Sequence, residues 1–153
     1  MNIEIRHINP SDYLKISKLI QRTIKASAET EALAEKLSQT YTEEYFVSKE
    51  NKIDFFVAED RETSTLLGII GLKSDVLRGY YVDPNFQGKG VGRKLFDYLE
   101  DEARSRGLNT LHLTASPKGQ PIYEHFGFKL IKKVENEIEG QVYIDALMEK
   151  SLD

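Results

Sequence analysis

Ile3 and Ile5 alternate with Glu4 and Arg6, so the chain opens with the two-residue period of a half-buried strand. Asn9-Pro10-Ser11-Asp12 then reads as a helix start: Asn9 caps, Pro10 takes the first helical position and Asp12 lies in the first turn. Tyr13, Ile16, Ile20 and Ile24 supply the apolar stripe of that helix. From Ala26 to Val47 the pattern is helical but interrupted, with Leu33, Leu37, Tyr41 and Tyr45 at spacing four and no glycine or proline. Ile53–Ala58 and Leu66–Leu72 predict two strands, joined as an antiparallel hairpin by the polar turn Glu59–Thr65. Lys73-Ser74-Asp75 turns the chain into a third strand, Val76–Val82, which ends at Pro84.

A helix beginning near Gly90 carries Val91, Leu95, Tyr98, Leu99 and Ala103 on one face and stops at Gly107, with Arg104 and Arg106 at its negative end. Thr110–Ala115 is expected as a parallel neighbour of Val76–Val82, reached by a right-handed crossover. A short helix then ends at Gly127, and Phe128–Glu135 with Val142–Met148 closes the sheet as a second hairpin. The order of elements predicts an α/β fold of the α+β type, with a mixed sheet flanked by helices.

Composition narrows the classes. A chain of 153 residues is expected to be one domain, residues 1–153, with a core large enough to need no staples. The absence of cysteine excludes disulfides, thiolate metal sites and a cysteine acyl-enzyme. No apolar run reaches membrane length, and Met1-Asn2-Ile3-Glu4-Ile5-Arg6 has no signal-peptide hydrophobic region, so a cytoplasmic protein without a membrane partner is expected. A net charge of −4 argues against nucleic acid and tolerates a cationic substrate. His7, His112 and His125 show no ligand spacing, so no metal is expected.

The chemistry concentrates between Tyr80 and Lys94, where a strand breaks at Pro84, crosses Gln87-Gly88-Lys89-Gly90-Val91-Gly92-Arg93 and enters a helix. The first N–H groups of that helix lack intrahelical partners, and its dipole favours an anion there. Gly88, Gly90 and Gly92 remove the side chains that would hold a ligand off those donors. Lys89, Arg93 and Lys94 crowd the same end, a conflict with the helix dipole that a bound phosphate would relieve. A Walker loop is excluded because no Gly-Lys-Ser/Thr occurs, and the dinucleotide fingerprint meets Arg93 where its third glycine belongs.

Gln87-x-x-Gly90-x-Gly92 resembles the acyl-CoA pyrophosphate loop of the GNAT N-acetyltransferase superfamily. Leu111–Ser116 followed by Pro121-Ile122-Tyr123-Glu124-His125-Phe126-Gly127-Phe128 is similar to that family's strand, short helix and Tyr-Glu-x-x-Gly-Phe ending. The likeness runs from about Ile3 to Leu147. It departs from the common pattern at Ser116, where an asparagine often contacts the pantetheine arm, and at Gly119, where alanine is usual.

The resemblance implies a largely antiparallel GNAT-like sheet and acetyl-CoA as co-substrate. Gln87, Gly88, Lys89, Gly90, Val91, Gly92 and Arg93 would hold the pyrophosphate, and the strand from Tyr80 to Val82 would pair with the pantetheine arm through its backbone. A backbone N–H near Val82 would face the thioester oxygen, Ser116 would touch the cofactor, and Tyr123 would be the general acid for the departing thiolate. The acceptor would be a primary amine of a small molecule or peptide, attacking directly in a ternary complex. The region from Ala26 to Val47 would flank its cleft. The partners left open include a homodimer.

Asp75, Glu29, Glu31 and Tyr81 are candidates for the general base by location alone, and a water chain is an alternative. His112, between two leucines, reads as structural. No Gly-x-Ser-x-Gly elbow is present, which argues against serine acyl transfer. Readings that keep the fold but change the chemistry are a non-catalytic CoA-binding module and transfer of a different acyl group.

Overall fold

The structure is a computed structural model, which describes residues 1–28, 30–48 and 50–153. Its strands are β1 (Ile3–His7), β2 (Asp54–Asp60), β3 (Thr65–Lys73), β4 (Val76–Val82), β5 (Thr110–Ala115), β6 (Lys129–Ile138) and β7 (Gln141–Ser151). Its helices are α1 (Tyr13–Ser27), α2 (Glu31–Thr40), α3 (Glu43–Ser48), α4 (Val91–Ser105) and α5 (Gln120–His125), with single 3-10 turns at Pro10–Asp12 and Pro84–Phe86. The seven strands lie in the order β1-β2-β3-β4-β5-β7-β6, antiparallel throughout except for β4 beside β5.

Helices cover both faces, which is why β2 and β3 are buried along nearly their whole length rather than alternating. Phe56, Leu67 and Ile70 point to one face and pack with Leu95, Phe96 and Leu99 of α4. Phe55, Val57 and Ile69 point to the other, against Ile16, Ile20 and Ile24 of α1. The apolar stripes expected for α1 and α4 are the buried ones; Tyr98 is only partly covered.

Asn9-Pro10-Ser11-Asp12 forms a 3-10 turn that leads into α1 rather than its first α-helical turn. The Asp12 carboxylate accepts from the Asn9 N–H at 2.8 Å and from both terminal nitrogens of Arg6 at 2.7 and 3.0 Å. The polar turn expected over Glu59–Thr65 is shorter, because β2 continues through Asp60. Both acidic side chains are satisfied there: Glu59 by Arg6 and Arg61, and Asp60 by the N–H groups of Asn2 and Glu62. Strand β7 inserts between β5 and β6, so the last hairpin folds back on itself and β6 becomes the edge.

One irregularity shapes the centre of the sheet. Ile69 faces Tyr81 but Gly71 faces Arg78, so β4 carries one more residue than β3 over the same span. The bulge contains Gly79 at φ 71°, and it turns both Arg78 and Tyr81 to the α1 side. Gly71 makes room for it, since a Cβ there would collide with the Arg78 carbonyl. Beside the bulge β4 parts from β5: the two pair only at Val76 and His112, where the His112 N–H donates to the Asp75 carbonyl at 2.8 Å. Beyond that point the strands diverge and a cleft opens between them.

Candidate active site

The cleft has a volume of about 1190 Å³ and runs from the loop before α4 to the strand β7. Its walls are the diverging edges of β4 and β5, with α1, α2 and α5 around the rim.

At one end lies the glycine loop. Gly88 and Gly90 adopt φ of 76° and 86°, and a Cβ on either would meet nothing within 4 Å. The demand for glycine there is conformational, and left-handed glycines alternating with ordinary residues gather successive N–H groups into a concave anion cradle. The first intrahelical bond of α4 runs from the Lys94 N–H to the Gly90 carbonyl, which leaves the N–H groups of Val91, Gly92 and Arg93 unpaired within the helix. Arg93 stacks its guanidinium over Phe126 at 4.8 Å from the ring centre and lines the cleft. Lys89 is exposed and lies outside the cleft wall. Val91 contributes its side chain to the core, leaving only its backbone to a ligand.

Gln87 has a use the sequence does not disclose. Its side-chain amide donates to the Val82 carbonyl at 3.2 Å, tying the loop to the end of β4. The next residue, Asp83, is buried, accepting from Arg22 of α1 at 2.8 Å and from the Asn85 N–H at 3.0 Å. The strand end that would face a thioester is therefore braced from three directions.

At the centre of the cleft, Tyr123 of α5 packs its ring against Tyr80, Phe96 and Phe128, with centres 6.1 to 6.2 Å apart. Among the described residues its hydroxyl has no hydrogen-bond partner, and the residue lines the cleft. Burial, and then the neighbouring Tyr80 and Tyr41, hold its proton well above the ordinary tyrosine range. Burial likewise pushes Tyr80 up to about 12 and Tyr81, beside Tyr41, far above its usual value. Burial also raises Tyr41, so all four phenols are held in their protonated form, the state from which a proton can be donated.

The remaining base candidates separate. Asp75 is held by His112, whose Nδ1 lies 3.1 Å from its carboxylate, while the other ring nitrogen faces Glu149 at 3.5 Å. Glu31 is exposed in the first turn of α2 and does not line the cleft. Glu29 lies outside the described residues. Ser116 lines the cleft, and its Oγ accepts from the Gly119 N–H at 3.2 Å, leaving its hydroxyl proton free to donate. A Cβ at Gly119 would sit 3.3 Å from the Tyr123 ring and 3.4 Å from the Ser116 oxygen, so the two departures from the family pattern meet beside Tyr123.

The opposite end is built from residues that no motif marks: Arg78 of β4, Tyr41 between α2 and α3, and Tyr143 and Asp145 of β7. Thr30 caps α2 and shares a hydrogen bond of 2.5 Å with the Tyr143 hydroxyl, which fixes α2 over this end. The alternation of β6 and β7 could have suggested Tyr143 and Asp145, but only the insertion of β7 next to β5 brings them to the cleft.

The fold is shared with solved structures. It aligns at a TM-score of 0.83 and 24% identity with a GCN5-related N-acetyltransferase from Rhodopseudomonas palustris, covering 99% of this chain and 96% of that one. The PaiA N-acetyltransferase of Thermoplasma acidophilum, solved in complex with coenzyme A, aligns at 0.78 and 24% identity over 99% of each chain. In sequence, the chain is 35% identical over 74 residues to the [ribosomal protein bS18]-alanine N-acetyltransferase of Salmonella typhimurium; that stretch covers 46% of this chain and 50% of the relative. The chain thus spans about half the length of that curated relative. The acetyltransferase (GNAT) domain model matches residues 20–152, nearly everything from α1 to β7 and including the whole cleft, and on that extent the chain belongs to the GNAT acetyltransferase family.

Proposed function

We propose that this protein transfers the acetyl group of acetyl-CoA to a primary amine by direct attack within a ternary complex. The observation that carries the reading is the convergence, in one cleft, of the helix N–H groups at Val91–Arg93, which lack intrahelical partners, and the protonated hydroxyl of Tyr123, which has no partner among the described residues.

The loop from Gln87 to Arg93 binds the pyrophosphate, with backbone donors and Arg93 supplying the positive field. The edge of β4 that leaves β5 after Val76 offers the pantetheine arm a strand to pair with. The amine nitrogen forms its bond to the thioester carbonyl carbon as the carbon–sulfur bond breaks. The proton that the nitrogen loses leaves through water, and Tyr123 supplies one to the departing sulfur. Burial raises the proton affinity of a thiolate as it does that of a phenolate, so the donor and acceptor stay matched in the same apolar surroundings. A chain without cysteine and without a serine elbow lacks the two commonest acyl-carrying nucleophiles, which favours attack in one step.

The test is release of free thiol from acetyl-CoA in the presence of an amine panel, paired with thermal melting. Acetyl-CoA should raise the melting temperature well beyond NAD or ATP at equal concentration, and at least one amine should accelerate thiol release. A melting shift without release from any amine would identify a CoA-binding module instead, and equal shifts from all three nucleotides would reduce the loop to a generic phosphate site.

A further inference from the structure

The acceptor end of the cleft carries a specific balance of charge. The bulge at Gly79 places Arg78 and Tyr81 on the same side of β4, the side covered by α1, and both line the cleft. Arg78 is exposed to the cleft, and among the described residues no carboxylate pairs with it. The phenols of Tyr41 and Tyr45 lie close enough to feel its field. Across the gap, the register of β5 with β7 sets Thr114 against Leu147 and so carries Asp145, two positions on, to the same face. Asp145 is the one carboxylate lining the cleft among the described residues, and it accepts a bond from Asn136 at 3.3 Å.

We infer that the acceptor amine carries an anionic group, a carboxylate or a phosphate, which Arg78 binds while Asp145 attracts the ammonium from the opposite wall. This inference rests on the proposed transferase activity. A guanidinium exposed on the cleft wall, with no carboxylate partner among the described residues, is a planar fork of donors suited to a carboxylate or phosphate. A polyamine meets the reverse situation. It would bring several positive charges to a cleft whose lining, among the described residues, sets Arg78, Arg93 and Lys118 against the single carboxylate of Asp145, and like charges juxtaposed at close range are a strong barrier to the wrong ligand.

The experiment compares matched acceptors by thiol release: phenylalanine against phenethylamine, phosphoethanolamine against ethanolamine, and spermidine. The expected result is a kcat/KM at least about tenfold higher for the anionic member of one pair. Which pair responds distinguishes carboxylate from phosphate. In Arg78→Gln the ratio within that pair should fall towards one, mainly through KM, while Arg78→Lys should restore part of it because charge returns without the fork. The melting shift from acetyl-CoA should persist in both variants, as Arg78 lies outside the cofactor loop. Equal rates within both pairs, spermidine as the best acceptor, or an Arg78→Gln variant that keeps the full preference would each overturn the inference and leave the transferase reading standing. Thiol release with none of the five amines, despite an acetyl-CoA melting shift, would withdraw both.

Discussion

The hydroxyl of Tyr80 occupies the space that a Cβ on residue 92 would need, so Gly92 and Tyr80 form one packing unit where α4 meets β4. The glycine spacing reads as an allowance for a ligand. At Gly88 and Gly90 the structure agrees, since nothing else approaches them; at Gly92 the neighbour is a half-buried tyrosine that also contacts Phe96, Phe126 and Tyr123. Gly92→Ala should therefore destabilise the fold by about 1–3 kcal/mol through overpacking. Combining it with Tyr80→Phe, which removes the obstructing oxygen, should recover most of the loss. Chemical denaturation of the two single variants and the double variant measures this coupling, and strictly additive losses would refute it.

Gly90→Asp addresses the anion cradle without touching the core. The position is left-handed, a conformation aspartate tolerates better than most residues, and there is open space for its side chain. The carboxylate would take the phosphate's place at the helix N–H groups and repel it. Acetyl-CoA affinity by calorimetry should fall by well over about tenfold, with the melting temperature of the free protein nearly unchanged. Unchanged affinity would remove the anion-site reading.

Tyr123→Phe deletes an oxygen that has no partner among the described residues, so ground-state packing should survive. If the hydroxyl protonates the leaving thiolate, kcat should drop by about 10²-fold while acetyl-CoA binding stays constant. Steady-state kinetics with any acceptor that the amine panel identifies, alongside a melting curve, decides the matter. A rate within about twofold of the parent would dismiss Tyr123 as the acid.

Arg6 and Asp12 couple β1 to the entry of α1, and their pairing has a pH signature. Burial alone would raise the Asp12 carboxyl, but the Arg6 guanidinium and the Asn9 N–H outweigh it and hold the group below its ordinary value. A depressed carboxylate contributes stability that is fully present above the unfolded value, about 3.9, and disappears as pH falls through the folded one. The stability gap between the parent and Asp12→Asn should thus be constant from neutral pH to about 5 and shrink below about 4. Denaturation at a series of pH values checks this, and a gap that persists into strong acid would mean that Asp12 matters for its shape rather than its charge.

Local chemistry by itself determined most of the elements and one half of the site. Period two and period 3.6 located the strands and helices because each depends only on which neighbours along the chain share a face. The glycines at 88 and 90 announced the anion loop because backbone freedom belongs to single residues. Tertiary structure decided the rest. That β7 slips between β5 and β6, that a single extra residue at Gly79 bends β4 away from β5, and that Tyr41, Tyr80, Tyr81 and Tyr123 gather in the gap are outcomes of strand register over long separations. Register is a property of two strands together, so no periodicity within either one could bring Arg78 and Asp145 to the same cleft.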